Sequence, residues 1–280
     1  MFKIVRKKEL NPTVTLMEVD APFVARKAEP GQFIILRVDE EGERIPLTVA
    51  DFDREKGTVT IIFQIVGGTT ERLNHLNEGD YIHDFVGPLG EASHTDGLKK
   101  VAVIGGGVGC AIAYPVAKKL HGLGAEVHSV VGFRNKDLVI LEEEFSAVSD
   151  VYKIMTDDGS YGEKGLVTDA LKALIESGEV YDEVIAIGPV IMMKFVSLLT
   201  KKYNIKTVVS MNPIMIDGTG MCGCCRLTVG GKTKFACVDG PDFDGHEVDY
   251  DEIMKRASTY KEFEGKEREK ACNLFKKEVR

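Results

Sequence analysis

The residues best suited to chemistry lie near the C-terminus. In "DGTGMCGCC" (217–225), three of the chain's six cysteines fall within four positions beside several glycines. Counting forward reaches Cys237, and counting back from Cys222 reaches Asp217, so the series reads Asp217-x4-Cys222-x2-Cys225-x11-Cys237. Apart from its first member, this is the Cys-x4-Cys-x2-Cys…Cys spacing of a plant-type [2Fe–2S] cluster. A carboxylate can ligate ferric iron, although it is a harder ligand than thiolate. Gly218, Gly220 and Gly223 would let the loop wrap and aim N–H groups at sulfides. Two other readings fit the same residues: a zinc site built from Cys222, Cys224 or Cys225, Cys237 and His246, and reduced structural cysteines. Cys224 fits no slot of the iron–sulfur series. Cys110 and Cys272 read as packing residues, and the six histidines show no ligand spacing.

A second group of residues is suited to phosphate. "VAVIGGGVGCA" (101–111) places Gly105, Gly106, Gly107 and Gly109 between an apolar run and a helical pattern. Glycines there let the backbone approach a pyrophosphate at a helix N-terminus. The pattern departs from G-x-G-x-x-G because Cys110 stands at the third glycine, and Phe133, Arg134 and Asn135 stand where an acidic residue is expected. Two further strand ends, Asp157–Asp158–Gly159 and Gly188–Pro189, would share the same edge of a parallel sheet. Singly each is a turn or a cap; together they predict a nucleotide crevice. Nearer the N-terminus, Pro46–Leu47–Thr48 offers backbone groups and a hydroxyl to a flat heterocycle. Gly67, Gly68, Thr69 and Thr70 form either an anion cradle or a capped helix.

The elements that must position these residues fall into three modules. Up to about residue 97, "TVTLMEV", "GQFIILRV", "GTVTIIFQIV" and "DYIHDFVG" read as strands separated by turns, with one short helix in "TERLNHLN". They predict a β barrel over 1–97. From 98 to 213, buried strands alternate with helical stretches: "KKVAVIG", a helix ending at Gly122 or Gly124, "AEVHSVVGF", "DLVILEEEFSAV", "VYKIMTDDG", "GLVTDALKALIESG", "EVIAIG", "PVIMMKFVSLLTKKYN" and "KTVVSMNP". Five strands with crossover helices predict a doubly wound α/β domain. Residues 214–248 are too few for a core of their own and call for a staple such as a metal. Residues 249–280 read as a charged helical tail packed on the body.

Composition excludes several classes. A net charge of −8 argues against a nucleic-acid partner, which needs clustered Lys and Arg. No run approaches the length of a membrane span, and "MFKIVRKKELNPTV" lacks the apolar core of a secretory signal. A reducing cytoplasm is the expected compartment, where clustered cysteines read as metal or redox ligands.

In this order the modules resemble the ferredoxin–NADP reductase superfamily, over essentially residues 1–245. The likeness is greatest to the branch that holds the electron-transfer subunit of dihydroorotate dehydrogenase B. The motifs that carry it are Arg44, Pro46, Leu47 and Thr48; Phe63, Gln64 and Ile65 with the Gly68–Thr69–Thr70 segment; "GPLG" (87–90); "GGGVG" (105–109); and "DGTGMCGCC…CVDGP". Asp217 departs from an all-cysteine cluster. In this the chain is similar to the small (alpha) subunits of electron-bifurcating NADH-dependent reduced ferredoxin:NADP oxidoreductases and to sulfide dehydrogenase subunits. The resemblance implies FAD at residues 44–48 and 63–70. It also implies NAD(H) at Gly105, Gly107, Gly109, Asp157, Asp158, Gly188 and Pro189, with NADP(H) left open. A [2Fe–2S] cluster would sit on Asp217, Cys222, Cys225 and Cys237, and a larger flavin and iron–sulfur subunit would be the partner. The rival functions are an electron-transfer subunit for dihydroorotate dehydrogenase, sulfide dehydrogenase or a hydrogenase, and, from another class, a zinc-bearing nucleotide-binding regulator without redox turnover.

Overall fold

The computed structural model describes residues 1–259, 263–266 and 269. The N-terminal strands are β1 (Phe2–Asn11), β2 (Val14–Asp20), β3 (Phe33–Arg37), β4 (Ile45–Asp53), β5 (Thr58–Gln64), β6 (Tyr81–Ile82) and β7 (Asp84–Leu89). Helix α1 (Pro22–Ala25) follows β2, and α2 (Gly68–His75) follows β5. Alternation fixes which faces point inward. On β2 and β5, Met17 lies opposite Ile61 and Val19 opposite Val59, all fully buried. The seven strands form one antiparallel sheet in the order β6-β1-β2-β5-β4-β3-β7. Its two edge strands are separated in sequence only by His83, so the sheet curls until its ends nearly meet as a barrel.

Strand β1 was not among the strands read from the sequence. Five of its ten residues, FKIVRKKELN, are charged, and Ile4 is the one buried side chain. It is held by its ladder to β2 rather than by an apolar face. The expected strand over 80–87 breaks at His83 into the two closing edges.

The second sheet is built from β8 (Lys100–Gly106), β9 (Glu126–Phe133), β10 (Val151–Thr156), β11 (Glu163–Lys164), β12 (Glu183–Ile187), β13 (Thr207–Ser210) and, beyond the hairpin β14 (Arg226–Val229) and β15 (Lys232–Phe235), β16 (Asp242–Asp244). Helices α3 (Cys110–Gly122), α4 (Glu142–Ala147), α5 (Val167–Glu176) and α6 (Val190–Lys202) make the crossovers, and α7 (Tyr250–Ala257) follows β16. The order β11-β10-β9-β8-β12-β13-β16 is parallel except for β16. Both faces of the sheet are covered, which is why β8 and β12 read as nearly continuous apolar runs and why even His128 and Ser129 of β9 are buried. In α5, Val167, Ala170, Leu171 and Leu174 recur at helical spacing and are buried. The expected helix over "DLVILEEEFSAV" is shorter. Residues Lys136–Leu138 make a tight turn, Ile140 and Leu141 enter the core, and only Glu142–Ala147 are α-helical.

Barrel and α/β sheet share packing. Val14, Ala50 and Ile62 of the barrel join the core beneath α3, and Lys118 and Lys119 pair with Asp51 and Glu29 at 2.7 and 2.9 Å. Phe33 and Ile35 on the opposite side of β3 lie in one core with Leu227, Cys225 and Cys237. The cysteine segment therefore packs on both sheets. Its last strand, β16, even pairs with β13 (Ser210 opposite Asp242). Cys110 is fully buried. Cys272, in the expected tail, lies outside the described residues.

Candidate functional site

Strand order reverses at β8, with β9 on one side and β12 on the other, and this is the switch point where open α/β sheets bind ligands. The two glycine motifs meet there. A Cβ on Gly109 would stand 2.6 Å from the Gly188 Cα and from the Ile187 carbonyl oxygen, so only glycine allows the backbones to touch. Gly107 has φ +55° and faces open space, leaving its turn clear for a ligand. Gly105 is closed over by the Cys110 side chain, and Pro189 precedes α6 as its N-terminal boundary.

The ends of β9 and β10 are stitched beside that turn. Asp157 N–H donates to the Phe133 carbonyl at 3.1 Å, and Asp158 N–H to the Arg134 carbonyl at 3.3 Å. Ser160 donates to Asp158 Oδ1 through its hydroxyl (2.7 Å) and its N–H (2.9 Å). Those two bonds hold the Asp158 carboxyl below the usual carboxylate range. Asn135 Oδ1 is buried with no partner among the described residues. An orphaned acceptor at this edge and the open turn at Gly107 fit a nucleotide's hydroxyl and phosphate groups.

On the barrel, Pro46, Leu47 and Thr48 lie on β4 against Ile35, Ile34 and Phe33 of β3, and all three are half-buried. Leu47 packs against the barrel core, while Pro46 and Thr48 share the other face and leave a partly open surface with one hydroxyl, which suits a flat heterocycle. Arg44 is exposed, and its Nε donates to the Ile216 carbonyl at 2.9 Å. The expected flavin motif and the cysteine loop are thus joined directly. Two of the expected flavin-site side chains are engaged elsewhere. Phe63 points into the barrel with Val59 and Ile61 and is 1% exposed, because strand alternation sends only Ile62 and Gln64 outward. Thr70 is a helix cap: its hydroxyl accepts from the Val66 and Gly67 N–H groups, both at 3.0 Å, and donates to the Gly67 carbonyl. Those N–H groups are taken, so the cradle is left with Gly68 and the exposed face of Thr69, whose hydroxyl reaches Glu43. Gln64 is exposed and Ile65 half-buried beside them.

In the cysteine loop Cys237 lies against Cys225 and near the Asp217 carboxylate, and the Cys222 sulfur accepts from the Asp217 N–H. Gly218 has φ +82°, and a Cβ there would lie 2.7 Å from Leu89 Cδ1, so the loop is pressed onto the barrel's "GPLG" strand. Cys225 and Cys237 are buried free thiols with Sγ atoms 3.2 Å apart, well beyond a disulfide bond. Cys222 is exposed. Its thiol is lowered by the Cys224 N–H first, with further N–H groups from Asp217 and Ile216. Burial is the first cause of the opposite shift at Cys237, to about 12. Asp217 Oδ2 accepts from Thr219 N–H (2.9 Å), the Thr219 hydroxyl (2.8 Å) and Met221 N–H (3.1 Å). Those bonds, led by the Thr219 hydroxyl, lower its pKa. Three thiols, a carboxylate kept ionised and N–H groups aimed at sulfur make a donor set that fits a cluster with mixed ligands. Cys224 is half-buried against the Cys222 thiol. His246 bonds to Thr200 on α6 through Nε2 at 3.0 Å, and among the described residues it is not gathered with the cysteines into a set of metal donors. A residue the sequence did not single out is Arg256 on α7, whose guanidinium reaches this loop.

Comparisons with known proteins agree with this arrangement. Residues 212–249 match the iron-sulfur cluster binding domain of dihydroorotate dehydrogenase B. The chain is 56% identical over 274 residues, covering 95% of this chain and 93% of the relative, to an uncharacterised protein in the adh 3′ region of Clostridium beijerinckii. It is 48% identical over 262 residues to a dihydroorotate dehydrogenase B (NAD(+)) electron transfer subunit homologue of Thermotoga maritima, covering 94% of this chain and 92% of that one. Among solved structures, a chain from the NADH-dependent reduced ferredoxin-NADP oxidoreductase, studied for flavin-based electron bifurcation, superposes with a TM-score of 0.91 at 46% identity. The match covers 96% of this chain and 97% of that chain. Among the described residues no helix is long and apolar enough to cross a membrane. The chain belongs to the family of dihydroorotate dehydrogenase B electron-transfer subunits, and it is a flavin-dependent oxidoreductase subunit.

Proposed function

We propose that the chain is the small subunit of an electron-bifurcating NADH-dependent ferredoxin:NADP oxidoreductase, working against a larger flavin and iron–sulfur subunit. The observation that carries this reading is the full-length likeness to the chain of that complex, 46% identical with both chains almost wholly covered. Asp217 at the head of the cysteine series adds to it.

Bound here, FAD would supply the interchange between hydride and single-electron chemistry, and a [2Fe–2S] cluster would supply a one-electron relay. The chain's residues place and tune them. Pro46, Leu47 and Thr48 would hold the isoalloxazine, with Gly68, Thr69, the exposed Gln64 and the half-buried Ile65 beside them. Gly105–Gly109 and Gly188–Pro189 present the helix N-terminus to a pyrophosphate, and Asn135 Oδ1 accepts a ribose hydroxyl. Asp157 and Asp158 set an anionic edge, which disfavours a 2′-phosphate and supports NAD(H) over NADP(H). Asp217, Cys222, Cys225 and Cys237 hold the cluster. Arg44 ties that loop to the flavin surface, which keeps the two centres close. No side chain needs to move a proton at the hydride step, and none is assigned.

The test is co-purification with the natural partner, followed by visible and EPR spectroscopy and an assay of NADP+ reduction that requires both NADH and reduced ferredoxin. A colourless preparation holding zinc but neither flavin nor iron would overturn the electron-transfer reading. The Thermotoga relative favours a second reading, an electron-transfer subunit for dihydroorotate oxidation. Dihydroorotate-dependent NAD+ reduction by the co-purified complex would select it.

A further inference from the structure

Beyond residue 249, where the matched iron–sulfur domain ends, the chain continues into α7. Asp249 caps that helix, its Oδ1 accepting from Glu252 N–H at 3.0 Å. One face is anchored on α6: the Tyr250 hydroxyl bonds Ser197 Oγ at 2.8 Å, and Lys194 pairs with Asp251 at 2.7 Å. The other face grips the cysteine hairpin. Asp249 N–H donates to the Thr228 carbonyl, and Thr228 N–H donates to Glu252 Oε2 at 3.0 Å. Ile253 and Tyr250 are buried beneath.

One turn further on, Arg256 reaches back over the loop. Its Nη2 donates to the Cys224 carbonyl and its Nη1 to the Arg226 carbonyl, both at 2.9 Å. The carbonyl between them, that of Cys225, accepts from Ala236 N–H at 3.2 Å. Three successive carbonyls around Cys225 are therefore turned toward donors, two of them on one cation. A planar guanidinium suits this bridge, because its N–H groups diverge in a fixed fork that an ammonium lacks. Glu252 steadies the same guanidinium at 3.8 Å.

We propose that Arg256 is a positioning residue of the cluster site, fixing the backbone on both sides of Cys225 and setting both the retention and the reduction potential of the cluster. The inference rests on the cluster assignment proposed above. The fork holds the Cys225 thiolate in register with Cys237, its neighbour at 3.2 Å. The positive charge favours the reduced, more negative cluster over the oxidised one.

The experiment uses the full-length protein as purified, compared with Arg256→Gln, Arg256→Lys and Lys194→Gln. The readouts are iron per chain, rate of iron loss to bathophenanthroline disulfonate, EPR line shape, midpoint potential and melting temperature. Arg256→Gln is expected to lose iron faster and to shift the midpoint downward by on the order of a tenfold change in the oxidised-to-reduced ratio, about 59 mV for one electron. Arg256→Lys should recover the midpoint, since the charge returns, but not the retention, since one ammonium does not bridge both carbonyls. Lys194→Gln loosens α7 without touching the loop and should leave the midpoint at the parental value. A parental midpoint and iron-loss rate in Arg256→Gln would overturn the inference. So would an equal midpoint shift in Lys194→Gln, which would assign the effect to helix docking alone. Parental retention in Arg256→Lys would overturn the role of the fork. A parent protein that holds no iron would instead refute the cluster assignment.

Discussion

Replacing Gly109 with alanine separates a contact argument from a backbone argument. Gly109 has φ −59° and ψ −20°, dihedrals any residue adopts, so the local backbone offers alanine no resistance. The added methyl would meet the Gly188 Cα and the Ile187 carbonyl oxygen at 2.6 Å, far inside the 3.4 Å of ordinary contact. Both atoms belong to backbone at the end of β12 and cannot rotate away. Overpacking of this kind costs about 3 kcal/mol, which for a chain of this size lowers the melting temperature by about 6–12 °C. Gly107→Ala is the reverse case: φ is +55°, yet nothing lies within 4 Å. Its cost is the left-handed conformation alone, about 1 kcal/mol and about 2–4 °C. Differential scanning fluorimetry gives the stability ranking, and anaerobic stopped-flow reduction of the bound flavin by NADH gives the functional one. Gly109→Ala should also slow that reduction at least about tenfold, because the turn that meets the pyrophosphate shifts by a few tenths of an ångström. A variant in which Gly109→Ala melts with the parent, or in which Gly107→Ala is the more damaging, refutes the claim that the two glycine motifs are locked backbone to backbone.

Three further outcomes follow from the same geometry. Asp242 is half-buried, with Oδ2 accepting from Ser93 Oγ at 2.5 Å and Oδ1 shut from solvent with no partner among the described residues, and burial raises its pKa above 3.8. A carboxyl whose folded pKa is raised costs stability as pH climbs from the unfolded value toward the folded one. Asp242→Asn should therefore melt higher than the parent at pH 8, the gap closing as pH falls toward 3.8; thermal melts across that range would show a constant gap if the reasoning is wrong. Asp158→Asn should raise kcat/KM for NADPH relative to NADH by about tenfold, and an unchanged ratio removes the anionic-edge argument. Gly218→Ala must adopt φ +82° and displace Leu89, at a cost of about 1–3 kcal/mol; iron per chain should fall, and full iron content at parental stability would contradict the packing described for the loop.

What could be read from the sequence followed periodicity and punctuation. The apolar runs of β8 and β12 and the spacing of Val167, Ala170, Leu171 and Leu174 report burial that the fold imposes on those residues. The ligand series was legible for a similar reason, since its spacing is local and Gly218, Gly220 and Gly223 all have positive φ. Strand β1 was not, because its charges face solvent and its ladder is invisible in side chains. Motif membership left the placing of Phe63 and Thr70 open: one side chain belongs to the barrel interior, and the other caps its own helix, the second of the two readings of 67–70. The contacts that tie the site together span long sequence distances. Arg44 reaches Ile216 across the barrel–loop boundary, and Arg256 reaches Cys224 from a helix whose pattern reads simply as charged and amphipathic. No periodicity encodes such pairs, so they appear only once the chain is folded.

The central claim is that electrons from NADH reach a [2Fe–2S] centre held by Asp217, Cys222, Cys225 and Cys237. EPR of the purified protein before and after anaerobic addition of NADH tests it, with Asp217→Ala and Cys224→Ala run in parallel. The account predicts a reduced-cluster signal in the parent and in Cys224→Ala, and a lost or strongly diminished signal with reduced iron content in Asp217→Ala. A full signal in Asp217→Ala together with its disappearance in Cys224→Ala would contradict the ligand assignment, and a flavin-containing parent that NADH bleaches without any cluster signal would contradict the route.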